Sequence, residues 1–310
     1  MKVTVVIPSY NHKPYVEQAI HSVLQQSYRD VELIVIDDGS SDGSKELIAE
    51  LHRQNPGFRF VSRENQGLVS TLRQGLEMAT GDYFCELASD DFLPSDNLVK
   101  RVSFLNQHPD VVSVFTDGIN VDRNGKEINL ITKEKIKDLY RSDNPIPDII
   151  NNVTPVFSTG LIRTRALREC GGFDASTFRF YEDIDTPVRL CGMGKFGYID
   201  ECLFYRRIHS TNVSGTTTHI RREKILFYQK MLDYPGMEPY RSLLRNRMRR
   251  GGIALGRTLA KAHQINELDY QIFYQVLRKF PLDLRLRWYG FKLRQKYRQE
   301  LVAKACLIHD

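Results

Sequence analysis

Short β-branched runs alternate with segments of helical periodicity through the first 115 residues, and this alternation constrains the fold most strongly. The predicted strands lie at 3–7, 31–36, 58–61, 83–87 and 111–115, and the predicted helices lie at about 14–26, around Leu47–Leu51, at 68–79 and at about 95–108. This pattern predicts an α/β fold with parallel strands and helices on both faces of the sheet. Ligands of such sheets bind beyond the carboxyl ends of the strands. The loops at 8–11, 37–43 and 88–91 are therefore the first candidates for a functional site.

The rest of the chain is less regular and ends in a helical, basic region. Asn124-Gly125 is typical of a hairpin turn. The segment around Pro145 and Pro147 is predicted to be a loop. Further strands are expected at 157–162 and 204–209, a helix at 181–190, and helices from about 219 onward. The sequence predicts two domains, 1–215 and 216–310, the first divided into halves after 115.

Charge is distributed unevenly along the 310 residues, whose net charge is +6. Residues 221–310 contain 20 Lys+Arg against 8 Asp+Glu, a net of +12, whereas residues 1–220 carry a net of −6. Opposite charges on the two regions indicate two different partners. Hydrophobic residues make up 41%, which is ordinary for a folded protein and excludes extensive disorder.

Membrane spans, secretion and cysteine-based sites are not expected. No apolar run approaches the roughly 18 residues that a membrane span needs. The five apolar-leaning residues between Lys2 and Pro8 are too few for the core of a signal peptide. The five cysteines form no C-x-x-C pair, so neither a zinc knuckle nor a disulfide framework is indicated. A cytoplasmic protein is the expectation.

Two aspartates, Asp37 and Asp38, end the second predicted strand. A carboxylate at this position can accept a hydrogen bond from a ring N–H, such as that of a pyrimidine base. Ser41 and Asp42 follow the glycine of this loop, and these residue types favour the cap of the next helix. The chain has neither the G-x-G-x-x-G fingerprint of dinucleotide-binding folds nor the glycine-rich P-loop motif, so both of those nucleotide sites are excluded.

A second acidic pair, Asp90-Asp91, follows the fourth predicted strand. Adjacent carboxylates both remain ionised most readily when a cation lies between them. Oxygen ligands suit Mg²⁺ or Mn²⁺, which commonly bridge a carboxylate and substrate phosphates. An isolated acidic pair could instead belong to a solvated turn. Asp90-Asp91 is expected on the same edge of the sheet as Asp38, and this position favours a metal site.

Five segments stand in order at a spacing that resembles the family 2 inverting glycosyltransferases of GT-A fold. They are Val5–Asn11, Val35–Asp42, Glu64–Leu68, Thr80–Tyr83 and Ser89–Asp91. The resemblance covers about residues 1–210. It implies a GT-A catalytic domain over 1–215, with a Rossmann-like, mostly parallel sheet and helices on both faces, followed by a basic helical C-terminal appendage. Residues 1–115 would be the nucleotide-binding half and 116–215 the acceptor-binding half.

The resemblance also implies a donor site and a metal site. The donor-nucleotide-binding residues would be Pro8, Tyr10, Asn11, Asp38, Asn65, Arg73 and Asp90, with Asp38 on the base. Mn²⁺ or Mg²⁺ would be bound by Asp91, Asp90 and His209. Many members have an aspartate where this chain has Ala88, so the metal would depend mainly on Asp91 and the diphosphate.

Inverting transfer needs a base for the proton of the acceptor hydroxyl and a cation for the charge on the leaving diphosphate. The Glu-Asp pair of the family falls on Glu182-Asp183, which makes Asp183 the expected base and Glu182 the residue that orients the acceptor. The alternative is that these acids only favour a helix N-terminus. The segment Tyr205–Ser214 resembles an element after the last core strand of the family, in which Arg206 would neutralise phosphate charge.

The implied activity is transfer of a sugar from a nucleotide sugar, most simply a UDP-sugar, to a saccharide or lipid-linked saccharide in the synthesis of a surface polysaccharide or lipopolysaccharide. Two alternatives come from other classes. A nucleotidyltransferase that makes nucleotide sugars would need a glycine-rich basic loop after the first strand, which the sequence lacks. A non-catalytic scaffold of the same fold is disfavoured because Asp38, Asp90, Asp91 and Asp183 are all present.

The C-terminal region mixes cations with apolar and aromatic residues. Over 278–298, eight Lys and Arg residues are interleaved with Phe280, Leu282, Leu284, Leu286, Trp288, Tyr289, Phe291 and Leu293. This mixture is typical of helices that lie on an anionic membrane surface. A solvated basic face on helices packed against the catalytic domain is the alternative, and no recognition motif supports nucleic-acid binding. The expected location is cytoplasmic, peripheral on the inner face of the cell membrane.

Overall fold

The computed structural model of this chain describes residues 1–209, 217–262 and 264–306, apart from the side chains of residue 217 and of residues 300–306. The chain divides into two compact units, Met1–Asn212 and Val213–Asp310. The predicted domain boundary between residues 215 and 216 lies outside the described residues. Each unit has its own set of secondary-structure elements.

The first unit is built on one mixed sheet of eight strands. They are β1 (Val3–Ser9), β2 (Val31–Asp37), β3 (Arg59–Ser62), β4 (Tyr83–Glu86), β5 (Val111–Val121), β6 (Glu127–Leu130), β7 (Leu161–Arg163) and β8 (Lys195–Arg207). The order is β3-β2-β1-β4-β7-β5-β6, and β8 pairs with β5. Strands β1 to β4 pair in parallel, as do β5 and β8, whereas β7 is antiparallel to both of its neighbours and β6 to β5. The predicted α/β fold with a mostly parallel sheet is confirmed.

The helices of this unit begin and end as follows: α1 (Val16–Leu24), α2 (Ser44–Gln54), α3 (Leu68–Met78), α4 (Asn97–Gln107), α5 (Glu134–Arg141), α6 (Ile146–Ile150), α7 (Thr164–Glu169) and α8 (Glu182–Leu190). All seven residues of β1 are buried, as expected for a strand covered on both faces. From α1, Val16, Ile20 and Val23 pack into the same core at helical spacing.

Three segments of the first unit differ from the predicted elements. The predicted loop at Pro145 and Pro147 contains α6, because a proline in the first helical turn loses no hydrogen bond and has a suitable φ. The predicted strand 157–162 is a 3-10 turn, Phe157–Thr159, followed by β7. The predicted strand 204–209 is the end of β8, which runs 13 residues beside β5.

The predicted hairpin turn at Asn124-Gly125 is confirmed. It joins β5 to β6, and the backbone N–H of Asp122 donates to the carbonyl of Lys126 at 2.8 Å. Gly125 has a φ of +87°, a conformation that glycine adopts without steric cost. The turn therefore lets β6 fold back along β5 as an edge strand.

The described residues of the second unit form four α-helices, α9 (Thr217–Asp233), α10 (Arg241–Lys261), α11 (Glu267–Lys279) and α12 (Leu284–Cys306), with one 3-10 turn, Glu238–Tyr240, between the first two. Helix α10 packs against the other three. Two of its glycines permit close approach, since a Cβ would come within 2.5 Å of Val276 at Gly252 and within 2.6 Å of Phe273 at Gly256. The predicted helical C-terminal appendage is confirmed. In the described part of the chain, no helix is both long and apolar enough to cross a bilayer.

Candidate active site

The loops that follow β1 and β2 are bound to each other at the carboxyl edge of the sheet. The backbone N–H of Asp38 donates to the carbonyl of Ser9 at 2.9 Å. The N–H of Asn11 donates to Ser40 Oγ at 2.9 Å, and Asn11 Oδ1 accepts from the N–H of Ser41 at 2.8 Å. Asn11 has a φ of +56°, which asparagine tolerates better than most residues. The described contacts of Asn11 therefore hold the two loops together, and its nucleotide-binding role stays a prediction.

Asp38 is buried at the end of β2, where it holds the loop that follows β3. Its carboxylate accepts hydrogen bonds from the N–H groups of Gln66 at 2.9 Å and Gly67 at 2.7 Å. A guanidinium nitrogen of Arg63 lies 3.0 Å from the same carboxylate. Sequence reasoning missed Arg63, although a basic residue directly after a strand that ends at this edge was a usable signal.

The remaining residues of the predicted donor site are spread around this edge. Pro8 is buried in β1, whereas Tyr10 is exposed. The side-chain oxygen of Asn65 accepts a hydrogen bond from Arg179. Arg73 is exposed on α3, 3.7 Å from the carboxylate of the glutamate one turn further along the helix. Asn65 belongs to the loop held by Asp38. The donor-binding roles of Pro8, Tyr10, Asn65 and Arg73 stay predictions.

Three side chains from separate loops could hold a metal ion: His12, Asp90 and His209. Each offers a donor atom, and these atoms all lie within 4.8 Å of one another. His209 Nε2 is 2.9 Å from one oxygen of Asp90, and His12 Nδ1 is 3.7 Å from the other. Burial lowers the pKa of His12 although Asp90 acts to raise it, so the neutral imidazole is favoured. Imidazole nitrogens and a carboxylate fit a divalent cation of the Mn²⁺ type.

Two of the three predicted metal ligands, Asp90 and His209, belong to this set, and sequence reasoning missed His12. The third predicted ligand, Asp91, accepts a hydrogen bond from the backbone N–H of Arg207 at 2.8 Å. Burial and the charge of Asp90 raise the pKa of Asp91 well above its usual range. In the described structure Asp91 therefore joins the loop that follows β4 to β8. Its role as a metal ligand stays a prediction.

Neighbouring arginines at the end of β8 have different surroundings. Arg206 lines a cavity and donates from Nε to Asn120 Oδ1 at 2.8 Å. Arg207 is buried, donates to the carbonyl of Asp90 at 3.0 Å and lies 4.8 Å from the ring centre of Tyr15. Arg206 is thus the one placed to meet a ligand, and the later part of the predicted motif, 210–214, lies outside the described residues.

A cavity of about 610 Å³ opens in the first unit beside the end of β4 and the start of α8. Its volume is within the range of small-molecule sites, about 300–1,000 Å³. Glu182 and Asp183, the predicted acceptor-orienting residue and base, both line it, together with Arg206. Glu182 is buried and Asp183 is half-buried. Glu182 and Asp183 are also the first two residues of α8, where acidic side chains interact favourably with the helix dipole. Their position is therefore consistent with the predicted catalytic roles and also with a role only at the helix N-terminus.

Glu86, the last residue of β4, is a buried carboxyl group of this cavity that sequence reasoning missed. Glu86 is only 7% exposed, and its Oε2 has no hydrogen-bond partner among the described residues. Burial and the negative charge of Asp183 raise the pKa of Glu86 to about 8. At neutral pH Glu86 is therefore mostly protonated and can donate a hydrogen bond to a ligand. An acidic residue in an otherwise apolar strand was the available signal.

Glu86→Gln is expected to remove a pH-dependent loss of stability. Because the folded-state pKa lies above the usual 4.5, the native protein holds more protons than the unfolded chain, and the free energy of unfolding falls as pH rises from about 4.5 to about 8. Glutamine resembles the protonated acid, so the melting temperature of the variant should fall less over this interval. Thermal unfolding followed by circular dichroism across this interval measures the difference. Glu77→Gln, at an exposed side chain on α3, is the control. A Glu86→Gln profile parallel to that of the wild type would contradict the assignment.

Contacts through Arg179 connect the loop held by Asp38 to the segment that leads into α8. Arg179 donates to the side chain of Asn65, and its carbonyl accepts from the N–H of Val69 at 3.3 Å. Its side chain covers Gly67, where φ is +90° and a Cβ would come within 2.6 Å of Arg179 Cγ. Only glycine satisfies both conditions. The loop held by Asp38 and the segment that leads into α8 are therefore one connected structure.

The four aspartates on which the sequence prediction rests are assembled at the same edge of the sheet. Asp38 is connected to α8 as described, and the charge of Asp183 acts on Glu86. Glu86 ends β4, and the loop that follows it carries Asp90 and Asp91. The arrangement combines a carboxylate beside a cavity with a candidate cation site one loop away, which is what displacement of a charged leaving group requires.

Comparisons with known proteins agree with this geometry. Residues 4–171, more than half of the chain, match glycosyl transferase family 2. Chondroitin synthase from Escherichia coli is 28% identical over 221 residues, which make up 71% of this chain and 31% of that protein. The chain thus spans less than a third of that relative.

Two solved structures share the fold. The crystal structure of S. aureus TarS 1–349 in complex with UDP-GlcNAc matches with a TM-score of 0.65 and 19% identity, over 96% of this chain and 90% of that one. The mannosyltransferase PcManGT from Pyrobaculum calidifontis, in complex with GDP-Man and Mn²⁺, matches with a TM-score of 0.58 and 16% identity, over 96% and 87%.

Proposed function

The chain belongs to glycosyl transferase family 2, and we propose that it transfers a sugar from a UDP-sugar to a hydroxyl of a saccharide or lipid-linked saccharide, with inversion at the anomeric carbon. The observation that carries this proposal is the cavity lined by Glu86, Glu182 and Asp183. Support for a UDP-sugar donor comes from TarS, which shares the fold and is bound to UDP-GlcNAc.

In the proposed reaction the acceptor hydroxyl attacks the anomeric carbon from the face opposite the nucleotide. Asp183 accepts the hydroxyl proton as the new C–O bond forms, and the bond to the diphosphate breaks with its electron pair leaving on the phosphate oxygen. Glu182 accepts a hydrogen bond from the acceptor and fixes its orientation. Glu86, protonated at neutral pH, donates to a sugar hydroxyl in the same cavity. Arg206 places positive charge beside the leaving group.

His12, Asp90 and His209 would hold a divalent cation, Mn²⁺ or Mg²⁺. When bound, such a cation neutralises charge that develops on the leaving diphosphate. The fit rests on the donor atoms, two imidazole nitrogens and one buried carboxylate, within 4.8 Å of one another. PcManGT, of the same fold, is bound to Mn²⁺ together with its nucleotide sugar, which supports this choice.

Assembly of a surface polysaccharide or lipopolysaccharide glycan on the cytosolic side of the membrane is the setting we propose. Support comes from the similarity to a chondroitin synthase, a bacterial polysaccharide synthase, over 71% of this chain.

Release of UDP from UDP-sugars, with and without saccharide acceptors, tests the proposed donor and reaction. We expect UDP release that depends on Mn²⁺ or Mg²⁺ and rises when an acceptor is added. The melting temperature should also rise with UDP plus Mn²⁺, since a ligand at 100 times its Kd stabilises the folded state by about 2.7 kcal/mol. Release of pyrophosphate would instead identify a nucleotidyltransferase. A protein that binds no nucleotide and releases nothing would be a scaffold of this fold.

A further inference from the structure

Helix α12 has a second apolar face that is turned away from its own unit. Its inner face packs through Leu286 and Leu293, both fully buried. Leu284, Trp288 and Phe291 recur at helical spacing on the opposite face and are 77%, 51% and 64% exposed. Large apolar side chains are normally placed inward, so a stripe of three on the outermost line of a helix indicates a surface that meets an apolar partner.

Exposed cations flank this stripe on both sides. At 100° per residue, Arg285 and Lys292 lie beside it on one flank, and Arg287, Arg294 and Arg298 lie beside it on the other; all five are exposed. Helix α12 therefore presents an apolar line between two rows of positive charge. The apolar stripe and the cations are in direct contact at Trp288, because Lys292 Nζ lies 4.0 Å from the centre of its ring.

We propose that the outer face of α12, defined by Leu284, Trp288 and Phe291, docks on an anionic phospholipid bilayer. A bilayer complements both features of this face. Its acyl chains accept the apolar stripe, and its headgroup phosphates contact the cations on either side of the stripe. Tryptophan is suited to the boundary between acyl chains and headgroups, because its ring is apolar while its N–H group can remain hydrated. Leu282, 87% exposed in the turn before α12, extends the apolar line.

Two other partners fit this surface less well. A second copy of the chain would bring the five cations of one α12 against the five of the other, and like charges in contact disfavour that interface. A nucleic acid is bound by cations that reach phosphates directly, whereas here the foremost side chains are apolar. Binding to a bilayer does not depend on sugar transfer, so an inactive Asp183→Asn protein should bind vesicles as the wild type does.

Trp288 is the only tryptophan of the chain, so its fluorescence reports directly on this face. The full-length protein is mixed at low salt with vesicles of phosphatidylcholine alone or with added phosphatidylglycerol. We expect a blue shift of the emission and co-sedimentation with the anionic vesicles, quenching by bromine-labelled acyl chains, and release at high salt.

Two double variants separate the apolar and the charged contributions. Leu284→Gln with Phe291→Gln keeps the reporter and should weaken vesicle binding at least about tenfold, because both side chains leave the acyl region. Arg285→Gln with Lys292→Gln should lower the preference for anionic over neutral vesicles by about tenfold. Ile128→Gln with Leu130→Gln makes the same kind of change at two exposed apolar residues on β6 and is the matched control.

An unchanged emission spectrum with anionic vesicles would overturn the proposal. So would a blue shift that grows with protein concentration in the absence of lipid together with a dimer in sedimentation, which would assign the face to a second copy. A blue shift with a duplex or single-stranded oligonucleotide in place of vesicles would assign it to a nucleic acid. Circular dichroism of each variant establishes that loss of binding is not loss of the helix.

Discussion

Asp183→Asn is expected to reduce sugar transfer by about 10²–10⁴-fold, the usual effect of losing a general base. The reason is that an amide is isosteric with the carboxylate but cannot accept the proton of the acceptor hydroxyl. Asp183 is half-buried on the cavity wall and is not among the predicted donor-binding residues, so the Kd for UDP with Mn²⁺ should change by less than about twofold. Coupled UDP-release kinetics and calorimetric titration with UDP measure the two quantities.

The matched control is Asp143→Asn, the same chemical change on a side chain that is 88% exposed in the first unit. It should leave both quantities at wild-type values. Since Asp183 also raises the pKa of Glu86, the Asp183→Asn variant should be the more stable of the two at alkaline pH. Near-normal turnover in Asp183→Asn, with UDP binding intact, would remove this residue from the role of base.

Asp90→Asn is expected to abolish the dependence on a divalent cation and to lower turnover by about 10²–10³-fold, as loss of one electrostatic stabiliser of a transition state typically does. Asp90 is the carboxylate between His12 and His209, and its replacement takes the negative charge out of the candidate cation site. The readout besides turnover is binding of Mn²⁺ itself, measured by electron paramagnetic resonance in the absence of substrate.

Single substitutions of the two histidines test how the cation site is composed. His209→Ala and His12→Ala should each weaken Mn²⁺ binding, whereas Asp30→Asn, on the exposed side chain near the N-terminal amine, should not. If His12→Ala binds Mn²⁺ as tightly as wild type while His209→Ala does not, the ion is held without His12. If Asp90→Asn keeps wild-type Mn²⁺ affinity, the cation site lies elsewhere.

Much of the first unit could be predicted from the sequence because its central strands, such as β1 and β4, are buried on both faces. A run such as Val3–Ile7 can hardly be anything other than a central strand once helical segments flank it. Parallel pairing then fixes the place of the site, since the strands all end at one edge. Asp38 and Asp90 reach a common region for this reason, whereas Asp183, at the start of α8, was expected there only from the resemblance to the family.

The residues that sequence reasoning missed are those whose importance depends on contacts between distant segments. Arg63 matters because it reaches Asp38, 25 positions away, and His12 because it lies beside Asp90. Glu86 is an ordinary glutamate by sequence and becomes a protonated acid only when the fold buries it beside Asp183. Local patterns can mark Arg63 and Glu86 as unusual residues for their positions, but they do not say which distant residue each one meets. The short helix α6 was missed for the opposite reason, because a proline pair suggests a loop unless it falls in a first turn.

The shared structure around Arg179 has a consequence for engineering. A chimera in which residues 116–215 come from another family member would replace Arg179 and leave Gly67 and Asn65 facing a different side chain. Such a graft would disturb the loop held by Asp38, although none of residues 1–115 had been exchanged. A chimera must therefore take residues 63–67 from the same relative as residues 116–215, so that the side chain at 179 and the loop it covers stay matched.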